Sequence, residues 1–539
     1  MRQEPGRAWG RAFAWVSLTG LCLLPVAWAF FVGSGVDGSA LSPPPSLSRT
    51  VALTRNTVAV AGGAAVLSLV TGLPYGLLVA RTDVWLSRLF QLLLVAPVFL
   101  PAYVSGTGWV YALGAQGFLN TSAKALVDPS STPLQSFGVV ASAGVLGLAF
   151  FPLVALATAA AARRTSSDLE DAARLSADSP GVLRRAVLPY VIPSSLAGAG
   201  VAFLLAAGDF GVPALFGVNV LTVEVYEQFA AYYNARAALA ALWPLVGVVF
   251  AGVALSVWSA GRTPREVGAV SAGDVRTLPL GRARLAGFLF CTVVTVASVL
   301  VPMVALFKEA AGPDAFVVAW GQGALQIRNT AAFAALSATL VVLVAFPAGY
   351  FGARGYTGER QALKSLAFLS LAIPGGILGI GLIGMFNRPG VAGLVYQSAA
   401  MVSLGLLCRF FPVAALIGAA GIGQVSADLE EPARLEGAGW LRMLRVAVLP
   451  YVGGWTGAAW LAVFALCAGE LSTSVLVSPP GYETLPVRIF GLMHFGASSV
   501  MAALSLTVAV LAFAPAALAG AAYCVWRLHG SRKDDEVAR

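Results

Sequence analysis

The sequence predicts an all-α polytopic membrane protein, with about twelve transmembrane helices in two parallel six-helix repeats. Three observations predict it. Of the 539 residues, 58% are hydrophobic and only 11% are charged, whereas soluble domains carry roughly 25% charged residues. Apolar runs close to the ~20 residues needed to cross a bilayer recur along the whole chain. A series of polar and proline landmarks also occurs twice, in one order.

In chain order the apolar runs are 12–33, 57–80, 89–112, 137–161, 190–212, 237–259, 285–307, 330–352, 364–386, 395–420, 452–477 and 499–525. The first follows Arg2, Arg7 and Arg11 and contains Ala27-Trp28-Ala29, a layout shared with cleavable signal peptides. A similar run, 285–307, stands before the second repeat, so a retained first helix is expected.

Lysine and arginine set the orientation. With both termini in the cytoplasm, the segments on that side hold 25 Lys and Arg, against 8 on the other. Such an excess marks the cytoplasmic face. The expected location is the cell inner or plasma membrane, multi-pass, with the lipid bilayer as a partner. The net charge of +9 raises nucleic acid as a partner, but the charges sit in short loops and form no basic domain, so none is expected.

The repeat is read from landmarks that apolar similarity alone does not produce. Arg55-Asn56-Thr57 matches Arg328-Asn329-Thr330, Pro74 matches Pro347, and Ala80-Arg81 matches Ala353-Arg354. Pro97 is paired with Pro374, Phe150-Phe151-Pro152 with Phe410-Phe411-Pro412, and Gly208-Asp209 with Gly469-Glu470. Six spans per half is an even number, so the halves point the same way about an axis along the membrane normal. The expected divisions are 1–52 (tail, first helix and outer loop), 53–258 (first half), 259–325 (cytoplasmic linker and seventh helix), 326–523 (second half) and 524–539 (cytoplasmic tail).

The most elaborate cytoplasmic element also occurs twice. It reads DLEDAARLSADSPGVLRRAVLPYV over 168–191 and DLEEPARLEGAGWLRMLRVAVLPYV over 428–452. Each copy reads as a short amphipathic helix, a turn, and a basic helix (Arg184 and Arg185; Arg442 and Arg445) ending before Leu-Pro, where the next span begins. Ser167 and Glu170 have capping-box spacing, and Asp428 and Glu431 are expected to act similarly. Pro432 then belongs in the first turn, where a missing N–H costs least, and Gly437 permits a turn. A solvated connector would have the same pattern. A loop at the same place in both halves instead suits a two-fold symmetric partner.

Glu431-Pro432-Ala433, then Gly437, then Ala447 and Leu449-Pro450 resemble the Glu-Ala-Ala loop of ABC importer permeases. Pro432 stands for the first alanine of that pattern and Ala447 for its aliphatic residue. The first copy is a weaker match, with Asp171-Ala172-Ala173, Ala177 in place of the glycine, and a spacer one residue shorter. The resemblance covers about 53–258 and 326–523 and implies the type I ABC importer permease fold. It implies that Asp171, Ala172, Ala173, Ala177, Glu431, Pro432, Ala433 and Gly437 dock an ABC ATPase, with two copies expected, and that a substrate-binding protein is the outer partner.

Lys124, Lys308, Lys364 and Lys533 are the only lysines, and none follows a glycine. A P-loop is therefore missing. The chain is read as a transport subunit without enzyme activity or cofactor, with ATP hydrolysis on a separate chain. Carrying both halves on one chain resembles the ferric-iron permeases and their thiamine and phosphonate relatives. LTRNTVAVAGGAAVLSLVTGLPYGLLVARTD and APVFLPAYVSGTGWVYALG resemble the ferric-iron group most. An ion-coupled secondary transporter is the rival reading, and it would need coupling carboxylates near the midplane.

Three charged residues are candidates for the pathway. Arg409 lies inside the tenth run, where charge is expensive. It either attracts an anionic group, or it pairs with a nearby acid or snorkels to the interface. Asp209 and Glu470 follow the Leu-Pro of their halves by ~20 residues, a rise of ~30 Å that puts them near the outer face. There they line an external mouth or meet a cation, or they act as helix caps or packing salt bridges. Asn56 and Asn329 are expected to cap spans. His494 alone makes no metal site, so none is expected. The stretch 478–496 reads as an outer loop offered to a binding protein. Cys22, Cys291, Cys408, Cys467 and Cys524 lie in apolar runs and read as free thiols among helices.

Overall fold

A computed structural model describes residues 5–35, 46–114, 117–126, 137–164, 171–173, 175, 179–261, 277–310, 312–493 and 499–537. Among the described residues, ten helices are long and apolar enough to cross a bilayer, and two bent pairs bring the number to twelve. In the first half these are α1 (5–35), α2 (Leu47–Arg81), a segment broken before α3 (Ala102–Leu113), α4 (Val139–Arg163), α5 (Leu183–Ala207) and α6 (Ala235–Ala260). In the second half they are α7 (Gly281–Glu309), α8 (Pro313–Arg354), α9 (Thr357–Leu371) bent against α10 (Gly375–Phe386), α11 (Ala399–Gln424), α12 (Trp440–Ala468) and α13 (Ser499–Val537).

Each half is built on three mutually packed helices, α2, α4 and α5 or α8, α11 and α12. Small residues let the backbones meet, as helices in lipid require. A Cβ on Gly72 would lie 2.7 Å from the Phe151 carbonyl oxygen, and one on Gly349 3.2 Å from the Gly418 backbone. Ser68 donates to the Gly147 carbonyl (3.0 Å) across the α2–α4 contact.

The long helices extend well beyond the predicted runs, to 35 residues in α2 and 42 in α8. Asn56 and Asn329 therefore lie inside helices, and the expectation that they are caps is overturned. Asn56 Nδ2 donates to the Asn219 carbonyl (3.0 Å), and Asn329 Nδ2 to those of Gly481 and Glu483 (3.1 and 3.2 Å). The next residues, Thr57 and Thr330, accept from the amides of Leu221 (3.0 Å) and Leu485 (2.7 Å). Each Asn-Thr pair thus ties a returning segment to its long helix. Within the expected outer loop 478–496, the described residues 478–484 do form a non-helical turn segment, and a helix follows it. Its helix Leu485–Met493 buries Leu485, Ile489 and Phe490, while His494 lies outside the described residues.

The third and ninth predicted spans are not straight. Their halves meet at 97° and 94°. Pro101 and Pro374 stand immediately before α3 and α10 with extended backbone (ψ 135° and 140°). Proline favours a preceding residue outside the helical region, and its fixed φ suits a helix start. Pro101 precedes Pro374 by the same offset that separates Arg55 from Arg328. Pro101, rather than Pro97, is therefore the counterpart of Pro374.

Wider π turns stand before prolines at four equivalent places. They are Thr19–Leu23 and Val296–Leu300 in α1 and α7, and Leu183–Val187 and Leu444–Val448 in α5 and α12. Pro25, Pro302, Pro189 and Pro450 follow two residues later. A proline ring crowds the carbonyl four residues back and donates no hydrogen bond to it, and a wider turn relieves both faults. The basic helix of each repeated loop therefore continues into the span instead of stopping before Leu-Pro.

The leading helices are exchanged between halves. α1 packs on α8 and α10 of the second half, and α7 on α3 of the first. A Cβ on Gly381 would overlap the Pro25 carbonyl, and one on Gly108 would lie 2.5 Å from that of Pro302. The same Gly–Pro approach thus seats both exchanged helices. Apolar periodicity is blind to this, because it identifies a helix without identifying its neighbour.

Candidate functional site

The second repeated loop is described in full. Ser426 Oγ accepts from the Asp428 amide (3.2 Å) and starts a short turn, so the expectation that Asp428 and Glu431 form the cap is overturned. A helix follows over Glu430–Leu435, with Pro432 in its first turn. Glu431, Pro432 and Gly437 are exposed and Ala433 is half-buried. Gly437 has φ +75°, the left-handed region that favours glycine. Leu435 and Leu441 are 88% and 73% exposed, an apolar tip without a covering partner among the described residues.

What fixes this loop is a residue the sequence reading passed over. Glu430 is 1% exposed. It accepts from Tyr350 Oη (2.8 Å), Arg354 Nε (2.8 Å) and Arg434 Nη2. A carboxylate buried in this way is stable only with such partners. Trp440 forms a second anchor. It stacks on Phe351 (5.9 Å, 18°) and lies so close to α1 that a Cβ on Gly10 would come 2.5 Å from its Cη2. The signals were present in the sequence: Glu430 and Arg434 have i,i+4 spacing, and Arg354 is the repeat partner of Arg81.

The first loop is described only in part. Asp171, Ala172 and Ala173 form one helical turn, while Ser167, Glu170 and Ala177 lie outside the described residues. It emerges beside the buried Arg81, whose Nη1 donates to the Ala162 carbonyl (3.1 Å). Its neighbour is the linker: Leu278 donates its amide to the Arg81 carbonyl (2.7 Å), and Leu280 to Asp83 Oδ1 (2.9 Å). Both loops thus sit at the same end of the long helices, beside Arg81 and Arg354.

At the centre of the molecule the two halves meet through a reciprocal pair of contacts. A Cβ on Gly208 would lie 3.5 Å from Pro374, and one on Gly469 would overlap Pro101. Asp209 and Glu470 follow these glycines. Asp209 Oδ1 accepts from the Val212 amide (2.8 Å). Glu470 accepts from the amides of Thr473 (2.8 Å) and Ser474 (2.9 Å) and from Ser474 Oγ (2.9 Å). Both carboxylates therefore do cap short helices, as the plainer reading had it.

Arg409 joins them. It donates to the Ile373 carbonyl, one of the acceptors freed where the ninth span breaks. Its guanidinium, Asp209 and Glu470 lie within electrostatic reach of one another. The sequence reading named all three but not their convergence. Arg409 lies ~15 Å along the 26-residue α11, while Asp209 and Glu470 stand two residues past the ends of α5 and α12.

Tyr103, two residues after Pro101, was missed. It is 4% exposed, and among the described residues its hydroxyl has no hydrogen-bond partner. A buried unpaired hydroxyl costs roughly 1–3 kcal/mol. Beside the Gly208–Pro374 contact a cleft of about 340 Å³, counting its open mouth, is lined by Thr222, Tyr226, Ile377 and Ser472 among others. Phe210, Tyr226 and Phe490 close over the site toward the Asn56 and Asn329 end, with ring centroids 4.6–5.7 Å apart. Among the described residues no group of three or more His, Cys, Asp or Glu could hold a metal ion.

The family model described as "Binding-protein-dependent transport system inner membrane component" matches residues 72–263. A putative ferric transport system permease protein of Haemophilus influenzae is 24% identical over 451 residues, covering 78% of this chain and 70% of that protein. A putative 2-aminoethylphosphonate transport system permease protein of Salmonella paratyphi A is 31% identical over 194 residues, covering 34% of this chain and 71% of that protein. A molybdenum transport system permease protein of Mycobacterium tuberculosis is 30% identical over 232 residues, covering 42% and 83%.

Proposed function

Because the chain belongs to the binding-protein-dependent transport system inner membrane component family, we propose that it is the fused permease of an ATP-driven importer of ferric iron. Substrate arrives on a binding protein, and ATP is hydrolysed on two copies of a separate ATPase. The observation that carries the reading is the position of the two repeated loops, both at the Arg81 and Arg354 end, where a two-fold symmetric ATPase pair can grip both halves. The excess of Lys and Arg supports a cytoplasmic location for that end and for both termini. The Phe210–Tyr226–Phe490 cluster then faces the outside. Asp171 to Ala173 with Ala177, and Glu431 to Ala433 with Gly437, form the docking surfaces, and Arg409, Asp209 and Glu470 line the pathway. The fold divides into permease halves at 53–258 and 326–523, each reached by the other's leading helix.

Iron is favoured because the likeness to the ferric permease runs over both halves. A phosphonate is the second candidate, supported by the higher identity of the shorter match. The test is uptake by proteoliposomes holding the chain with its ATPase and binding protein. Ferric iron uptake should need ATP, and Gly437→Asp and Glu431→Ala should each cut it several-fold at unchanged membrane level. Normal uptake by both variants would remove the docking role. Uptake that survives ATP depletion and collapses with the proton gradient would make the chain a secondary transporter.

A further inference from the structure

We propose that Arg409, Asp209, Glu470 and Tyr103 form a transient binding site, midway along the pathway, for a small ligand carrying a cationic centre and an anionic group together. The proposal rests on the permease reading above and deepens it by naming the class of ligand.

Four side chains from both halves converge on the reciprocal proline contacts. Arg409 is held by the carbonyl of Ile373, and Asp209 follows Gly208, which packs on the adjoining Pro374. Glu470 follows Gly469, which packs on Pro101, two residues before Tyr103. Gly211 closes the circuit, since a Cβ there would lie 3.1 Å from both Tyr103 Cβ and Leu471 Cδ2. The carboxylates are occupied by the amides of Val212, Thr473 and Ser474 and by Ser474 Oγ, yet a carboxylate has about four acceptor positions. Among the described residues Arg409 has one hydrogen bond of five possible, and no carboxylate comes within 4.0 Å of it. The guanidinium therefore faces two acids without closing an ion pair on either.

That gap decides the chemistry. A plain cation leaves the Arg409 guanidinium unpaired, and a plain anion leaves the Asp209 and Glu470 carboxylates without a cationic partner. A ligand with both charges satisfies each side in the low dielectric where the pairing is strongest. The buried hydroxyl of Tyr103 supplies a donor or acceptor that lacks a partner. One guanidinium against two carboxylates also holds a ligand without trapping it, as transit requires.

The test is ligand-induced thermal stabilisation and equilibrium binding with the full chain in nanodiscs. The probes are 2-aminoethylphosphonate and ferric citrate, against ethanolamine, methylphosphonate and iron-free citrate. At least one dual-charge probe should bind, and its single-charge counterparts should bind about ten-fold or more weakly. Arg409→Gln should abolish the preference. Tyr103→Phe, which keeps the ring and the fold, should weaken binding several-fold while leaving the ligand-free melting temperature within a degree or raising it. Failure of both dual-charge probes to bind, equal binding of the single-charge counterparts, or unchanged binding in both variants overturns the site. ATP-dependent uptake in the reconstituted complex separates the two ideas. Wild-type uptake with no loss in Arg409→Gln would leave the permease reading intact and remove the site, whereas no ATP-dependent uptake at all would remove the permease reading.

Discussion

At the Arg354 end, side chains hold the second repeated loop: the Glu430 carboxylate joins Tyr350, Arg354 and Arg434, and Trp440 wedges between Phe351 and the first leading helix. At the Arg81 end, among the described residues, the linker donates the Leu278 amide to the Arg81 carbonyl and the Leu280 amide to Asp83 Oδ1. In both cases a segment that leads into an exchanged helix takes part, Gly10 against Trp440 at one end and Leu278 with Leu280 at the other. Side chains hold the second loop, while among the described residues the linker meets the Arg81 end through the amides of Leu278 and Leu280.

The comparison is sharpened most by Glu430→Ala. Removing a buried carboxylate leaves Arg354, itself only 13% exposed in its side chain, without its charge partner. Loss of one member of such a pair costs about 3 kcal/mol. The expected result is a lower melting temperature in nanodiscs, with new protease cleavage between Arg434 and Arg445. An unchanged melting temperature would mean that the network contributes nothing to loop position.

Gly10→Leu should come next. The added side chain collides with the Trp440 ring, 2.5 Å from the position of its Cβ, and overpacking of this kind costs about 1–3 kcal/mol. Arg11 adds to the same contact, pairing with Glu359 (3.0 Å) and lying over Tyr356. Trp440→Ala should relieve the collision, so the double variant should be more stable than the sum of the singles predicts. Strict additivity of the melting shifts would show that α1 and the second loop do not touch in solution.

Much of this architecture was legible in the sequence because it depends on composition and order. The spans, the duplication and the two loops came from apolar runs, from Arg55-Asn56-Thr57 with its repeat, and from Leu-Pro-Tyr-Val. What stayed hidden depends on contacts between distant segments. Asn56 and Asn329 have the residue type and place of helix caps, and only the returning segments 217–221 and 481–485 reveal them as anchors. Arg409, Asp209 and Glu470 were each conspicuous as charges in apolar surroundings. Their meeting depends on the right-angle breaks at Pro101 and Pro374, which hydropathy averages away. Tyr103 gave no signal at all, since a tyrosine in an apolar run is ordinary until its hydroxyl is found unpaired.

Asp83→Ala should have the smallest effect, and it tests how far the linker's attachment depends on a carboxylate. Asp83 accepts from the Leu280 amide and lies 3.9 Å from Arg284, with about a third of its side chain exposed. A half-exposed ion pair of this length is worth under ~1 kcal/mol, and water can replace the carboxylate at the amide. Leu278 still pairs with the Arg81 carbonyl through main-chain atoms that the substitution leaves untouched. The melting temperature should therefore move by far less than in Glu430→Ala. Protease sensitivity near residues 277–283 should rise only slightly. A loss as large as that of Glu430→Ala would mean that the linker's attachment at the Arg81 end also depends on a charged side chain.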